Sequence, residues 1–218
     1  DTDDDNFLSA SDTVTITAAF SEAMTLTPTI SISGTSISNQ VMTKISGGSG
    51  SGSHTLLGAD IDGEAANDYT TSVSFSSDGS RVAIGAYAND GNGSDSGHVR
   101  IYDYNGSAWV QVGADIDGEA ANDNSGRSVS LSSDGSRVAI GADTNDGNGT
   151  NSGHVRIYDY NGSAWVQVGG DINGEAANDN SGYSVSLSSD GSRVAIGANF
   201  NDGFSNGTDS GHVRIYDY

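Results

Sequence analysis

The sequence predicts an all-β protein built from three copies of one small antiparallel unit. Three observations carry that expectation. Nearly the same wording runs through residues 54–112, 113–168 and 169–218, a period of about 56 residues, and self-similarity at such a period marks an array of one supersecondary unit. Glycine is abundant (31 residues), proline is nearly absent (1), and β-branched residues alternate with serine, as in short strands joined by tight turns. Asp-Gly and Asn-Gly recur at fixed places between the apolar runs, where residues that tolerate φ > 0 close two-residue hairpins.

The first 46 residues differ from the rest. Residues 12–20 alternate apolar and polar at period two, as do residues 29–33 before Gly34, and this is the mark of half-buried strands. Residues 36–45 supply one or two more. The wording DTVTITAAFSEAMTLTPTISISG resembles the N-terminal half of a bacterial immunoglobulin-like domain of the kind strung along large surface proteins. A full sandwich needs about 100 residues and about seven strands, so residues 1–46 are expected to be a partial Ig-like segment. Residues 47–53 are a flexible Gly/Ser linker by composition. The opening run Asp1 to Asp5 reads as the start of a mature or excised product, and as either a calcium-holding acidic linker or a solvated terminus.

Each repeat carries four strand-like runs. In the middle copy these are residues 128–132, 137–142, 154–160 and 164–168. Asp134-Gly135 turns the first into the second, Asn161-Gly162 turns the third into the fourth, and a polar loop over residues 143–153 joins the second to the third. Four antiparallel strands per unit, repeated, describe four-stranded β-propeller blades. The wording SGYSVSLSSDGSRVAIGA resembles the FG-GAP repeat of integrin α-chain propellers and related bacterial surface proteins. The Phe-Gly of that family stands here as Thr70-Thr71, Ser125-Gly126 and Ser181-Gly182. Its Gly-Ala-Pro stands as Gly85-Ala86-Tyr87, Gly141-Ala142-Asp143 and Gly197-Ala198-Asn199. The resemblance implies a calcium loop of the form D-x-D-x-D-G between the first two strands. Here that loop is shortened to Ser132-Ser133-Asp134-Gly135, which implies that this calcium site is lost.

The array opens on a lone fourth-type run, residues 55–57, and closes on a third-type run, residues 212–218. Propellers have roughly 4–8 blades, so three blades are expected to self-associate, as a dimer or a filament, through strand exchange. The rival expectation is a piece of a longer array.

Charge and composition narrow the function. A net charge of −21 with eight basic residues repels nucleic acid and anionic membranes, so neither is an expected partner. No apolar run approaches the length of a bilayer span. Without cysteine there is no disulfide, thiol nucleophile or cysteine-held zinc.

Two acidic loops recur, and they are the candidate metal sites. One comprises Asp60, Asp62, Glu64 and Asp68, with counterparts Asp115, Asp117, Glu119 and Asp123, and Asp171, Asn173, Glu175 and Asp179. The other comprises Asp90, Asn92 and Asp95, with counterparts Asp146 and Asn148, and Asp202 and Asp209. Calcium takes 6–8 oxygen ligands and suits alternating Asp/Asn wrapped around glycine, but the same residues make plain turns. His98, His154 and His212 open the third strand of each repeat and read as structural. Arg100, Arg156 and Arg214 read as blade-to-blade ion-pair partners of Asp103, Asp159 and Asp217. Trp109 and Trp165, on the fourth strand, read as inter-blade packing. The approach loop with Phe200 and Phe204 breaks the repeat and is a candidate for a unique contact.

No Ser-His-Asp wording, phosphate loop or isolated acid pair stands apart from the repeats, and a single active site would break their symmetry. The expectation is therefore a non-catalytic secreted or cell-surface protein of bacterial type, for adhesion or extracellular structural assembly. Calcium is the one cofactor suggested, and the partners are its own copies and a protein or glycan ligand. Two other readings remain: a fibre-forming subunit joined by strand exchange, and a propeller hydrolase acting on extracellular polysaccharide.

Overall fold

The computed structural model describes residues 54–203 and 207–218. The expected Ig-like segment, the linker and Phe204 lie outside the described residues. The chain divides after Thr55 into two units, and the second unit holds all the elements below.

It is all-β, with three antiparallel sheets that follow the repeats. The first sheet contains β1 (Thr70–Phe75), β2 (Arg81–Ala86), β3 (His98–Tyr104), β4 (Trp109–Gln111) and β5 (Ile116–Asp117). The second contains β6 (Ser128–Leu131), β7 (Arg137–Ala142), β8 (His154–Tyr160), β9 (Trp165–Gln167) and β10 (Ile172–Asn173). The third has β11 (Ser181–Leu187), β12 (Arg193–Ala198) and β13 (His212–Asp217). Strands β6 to β9 fall on the four runs expected of the middle repeat. The hairpins form as the turn residues dictate: Gly135 adopts φ 68 and Gly162 φ 94. Asn161 Oδ1 accepts from the amides of Ser163 and Ala164.

The two-residue strands β5 and β10 lie in stretches read from sequence as acidic loop. Ile116 and Asp117 pair with Val99 and His98, and Ile172 and Asn173 pair with Val155 and His154. Each continues the outer edge of the third strand where the short fourth strand stops. Residues 55–57, expected as a lone fourth-type strand, form no strand, because no third-type strand precedes them among the described residues. Leu57 nevertheless accepts a hydrogen bond from Trp109 Nε1 at 3.0 Å. Val112, which follows β4, accepts the equivalent bond from Trp165 at 2.9 Å.

The sheets stack face to face, and alternation in each strand gives a sheet two different faces. The front of the first sheet presents Ala83, Val99 and Ile101, which meet Val129, Leu131, Val138 and Ile140 on the back of the second. The front of the second presents Ala139, Val155 and Ile157 to Val194 and Ile196 on the back of the third. Central strands buried on both faces read as nearly continuous apolar runs, which is why VAIGA recurs. Polar contacts repeat the register across each junction. Ser74 Oγ accepts from Leu131 N, and Ser130 Oγ accepts from Leu187 N. Arg81 donates to Gly135 O, and Arg137 donates to Gly191 O, each at 2.9 Å.

Candidate metal-binding clusters and surface groove

The arginine–aspartate pairing expected from sequence is corrected by the register. Asp103 lies directly across from Arg81, and Asp159 from Arg137. Those arginines, not Arg100 and Arg156, hold the aspartates, with Nε–Oδ1 distances of 2.6 Å. In a strand, residues three apart face opposite ways: Asp103 faces front and is held by Arg81 of its own sheet, and Arg100 faces back against Glu64, so neither pairs across blades with the other's counterpart. Arg100 and Arg156 point to the back of the sheet beside His98 and His154.

There they meet the first acidic loop. His154 Nδ1 lies 3.8 Å from Glu119 Oε2 and 4.0 Å from Asp171 Oδ2. Arg156 donates from Nε to Asp171 Oδ1 at 2.9 Å and pairs with Glu119 through Oε1. In the preceding repeat His98 Nδ1 lies 3.8 Å from Glu64 Oε2 and 3.9 Å from Asp115 Oδ2, with Arg100 against Glu64 Oε1 at 3.6 Å. Each set comprises three groups whose ligand atoms lie mutually within 4.8 Å, so each could hold a metal ion. In the third repeat Glu175 and His212 approach to 3.4 Å and Arg214 pairs with Glu175. The histidines, read from sequence as structural, are thus brought to the carboxylates. The signal was present in the recurrence of Glu and His in each repeat and of Asp 17 residues after the histidine, at the start of the next repeat, but not in any local motif.

Electrostatics follow the packing. Burial pushes the His154 imidazole below its ordinary value against the opposing pull of Asp171 and Asp123, which keeps it neutral near pH 7. Burial alone would raise Asp171, but hydrogen bonds from Arg156 and Gln167 outweigh it and hold the carboxyl low.

The other residues of the expected calcium set are engaged within the chain. Asp68 Oδ2 accepts from the amides of Glu64 and Ala65 and from Asn89. Asp123 accepts from Ala120 N and Asn145, and Asp179 from Ala176 N and Asn201. Asp90, Asp146 and Asp202 each accept one amide of their own loop. Asn92 and Asn148 donate across to the carbonyls of Gly118 and Gly174, and Asp62 supplies only its carbonyl, to Arg100. The short hairpin loop offers one carboxylate: Asp134 accepts from Ser132 and Ser136, which leaves no oxygen cage of the kind calcium requires. Asp60, Asp95, Asp117, Asn173 and Asp209 join neither three-group cluster.

A second feature breaks the repeat. A groove of about 340 Å³ is lined by Tyr69, Tyr87, Asp95, Asn122, Asn124 and Asn151, among others. Tyr69 stacks on Tyr87 with centroids 5.8 Å apart. It holds φ 50 where its counterparts Asn124 and Asn180 hold 57 and 55. Trp165 packs between the first and second sheets as expected, whereas Trp109 packs on its own sheet against Val82, Ile84 and Tyr102, and Phe200 is exposed.

Residues 115–158 and 173–216, in the second and third repeats, match the FG-GAP repeat family. No curated protein matches the chain. Among solved structures it is similar to the hydrazine synthase of Kuenenia stuttgartiensis, with a TM-score of 0.43 and 14% identity over 67% of this chain and 33% of that one. It is also similar to a putative 6-phosphogluconolactonase from Bacteroides uniformis, with a TM-score of 0.44 and 15% identity over 66% of this chain and 40% of that one. The chain spans less than half the length of either.

Proposed function

We propose that this protein is a non-catalytic, extracellular assembly module whose copies stack blade on blade, the third sheet of one copy against the first sheet of the next. One observation carries the reading: the two outer faces of the stack are the two halves of the junction already made twice within the chain. On the front of the third sheet, Val213 and Ile215 are 67% and 71% exposed, whereas their counterparts Val155 and Ile157 are fully buried. On the back of the first sheet the exposure is confined to β1, where Val73 and Phe75 are 63% and 56% exposed, whereas Val129 and Leu131 are buried; Val82 and Ile84 of that face are already buried beneath Ile61 and Trp109. Arg193 pairs with Asp217 on this open face. Its counterparts cross their junctions to Gly135 and Gly191, and the same position in a second copy's first sheet is Gly79.

Fully burying such a side chain contributes about 1.5–3 kcal/mol. Four side chains that are roughly two-thirds exposed therefore offer about 4–8 kcal/mol, against an association cost of about 4–15 kcal/mol. A balance this close favours assembly where local concentration is high, as on a cell surface. The acidic, cysteine-free composition supports an extracellular setting. Calcium is not required by this reading.

Sedimentation velocity on the 218-residue chain tests it. Association should rise with concentration, and Ile215→Asp should abolish it without altering the circular dichroism, while Val166→Asp, another exposed strand position, should not. A wild-type chain that stays monomeric at every concentration overturns the proposal.

A second reading, adhesion to glycan, is favoured by the groove. A tyrosine in left-handed backbone is strained where asparagine is not. Stacked aromatic rings beside amide side chains suit the apolar face and hydroxyls of a sugar. Tyr69→Asn should lose retention on polysaccharide columns with no fall in melting temperature, since asparagine suits the left-handed backbone, and retention that survives it refutes this reading.

A further inference from the structure

We infer that each Glu–His–Asp cluster is a binding site for a divalent metal of the zinc class, held by His98, Glu64 and Asp115 in one repeat and by His154, Glu119 and Asp171 in the next. The first argument is an unsatisfied atom. In the first cluster His98 is 1% exposed and its unpartnered buried nitrogen is Nε2, while Nδ1 faces the carboxylates; in the second, His154 is 3% exposed, and its Nδ1 is buried without a hydrogen-bond partner. It faces two carboxylate oxygens at 3.8 and 4.0 Å, which is too far for a hydrogen bond. Nitrogen and oxygens thus converge on a common point without satisfying one another.

The second argument is the division of labour on the carboxylates. Arg156 takes Oε1 of Glu119 and, most closely, Oδ1 of Asp171, with only a long 3.5 Å contact to Asp171 Oδ2, so that Oε2 and Oδ2 are the oxygens nearest the imidazole. Outer groups that grip one oxygen and aim the other are the usual support of metal-ligating carboxylates.

The donor set selects the class of ion. One imidazole and two carboxylates match zinc and its neighbours, whereas calcium wants 6–8 oxygens and no nitrogen. Zinc bonds of about 2.0–2.2 Å place neighbouring tetrahedral ligand atoms about 3.4 Å apart, so the nitrogen–oxygen distances of 3.8 and 4.0 Å need to close by about half an ångström. Glu119 and Asp171 side chains are 41% and 28% exposed, which provides an entry path, and water completes the coordination. The third repeat offers only Glu175 and His212 among the described residues, so the site count is two per chain.

The test is zinc titration by calorimetry, with metal content measured after desalting, on the full chain bearing Ile215→Asp. That background keeps the metal question separate from the assembly proposed above. The expected result is two zinc ions per chain. Glu119→Gln, a half-exposed substitution that keeps the fold, should leave one, and Glu64→Gln with Glu119→Gln none. Imidazole nitrogen NMR should show His154 Nδ1 shifting on zinc addition in the parent and not in Glu119→Gln. No zinc bound, calcium bound in preference, or a zinc count unchanged by Glu119→Gln overturns the inference.

Discussion

Replacing Gly141 by alanine should part the second and third sheets. A Cβ built on Gly141 falls 2.0 Å from the carbonyl oxygen of Gly182, on the next sheet, and 2.5 Å from Ser128 Oγ. Gly85 is in the same position, 2.1 Å from the oxygen of Gly126. Contacts below 3.0 Å are not tolerated against backbone, so the sheets must separate by about 1 Å. A gap of that size forfeits roughly a quarter to a half of the dispersion contacts across it. Five buried side chains form this junction: Ala139, Val155, Ile157, Val194 and Ile196. At about 1.5–3 kcal/mol each, losing a quarter of their contribution costs about 3 kcal/mol, in line with overpacking elsewhere. For a unit of this size that lowers the melting temperature by about 6–12 °C. Gly197 is the internal control, because its Cβ would meet only Ser184, whose Oγ at 2.4 Å can rotate away. Thermal melts of the three alanine variants check this: Gly85→Ala and Gly141→Ala should fall, and Gly197→Ala should stay near wild type while losing self-association. If Gly141→Ala melts with wild type, or Gly197→Ala falls as far, the stacking argument is refuted.

Three further outcomes follow from charge. Burial pushes the Asp143 carboxyl above 3.8, only partly opposed by Arg127. The native state therefore binds its proton more tightly than the unfolded chain, and the stability this gives below 3.8 is lost as pH rises through the shifted value. Asp143→Asn should be more stable than wild type at pH 7, with the gain vanishing below 3.8 in melts across pH. Asp78 is held down to about 2 by the Ser80 amide and the Ser76 hydroxyl, and Asp190 to about 2 by the Ser188 hydroxyl and the Ser192 amide. Their contribution is present above 3.8 and lost as pH falls toward 2, so carbon NMR midpoints at 3.8 would contradict the turn geometry. Two copies carrying −21 each repel, and salt screens that repulsion within about 10 Å at 0.1 M. Sedimentation should therefore show assembly strengthening with ionic strength; weakening would mean that ion pairs, not apolar faces, hold the copies together.

Much of the fold was legible because the repeat repeats its punctuation. Asp-Gly and Asn-Gly set the hairpins, and β7 and β8 coincide with the apolar runs between them. Strands β5 and β10 were not legible, since two residues such as Ile116 and Asp117 carry no alternation and sit among turn-formers. The arginine pairing was not legible, because it depends on the register across the long β2–β3 loop that sets Arg81 opposite Asp103. The clusters were half legible. Glu64, Asp115, Glu119 and Asp171 stood among the acidic candidates. The histidines joined them only once β3 and β8 were seen to lie between the loop that enters their sheet and the loop that leaves it. Asp68, Asp123 and Asp179 look equally acidic in sequence, but they are buried against amides and an asparagine, which only three-dimensional contact reveals.

Near-identity of the blades bears on what an ion would do here. Each cluster draws its glutamate from before the first strand, its histidine from the third strand and its aspartate from beyond the fourth. An ion bound there clasps the two ends of one sheet and stiffens the stack, repeating at each junction instead of forming one reaction centre. The third repeat supplies glutamate and histidine, and the residue at the repeat position of Asp115 and Asp171 is Asp60, at the other end of the array. Stacking a second copy on the third sheet brings that aspartate to Glu175 and His212. Zinc content should then rise above two per chain in the assembled wild type and stay at two in Ile215→Asp, with Asp60→Asn removing the excess. Equal zinc content in the assembled and monomeric forms would separate the metal sites from assembly.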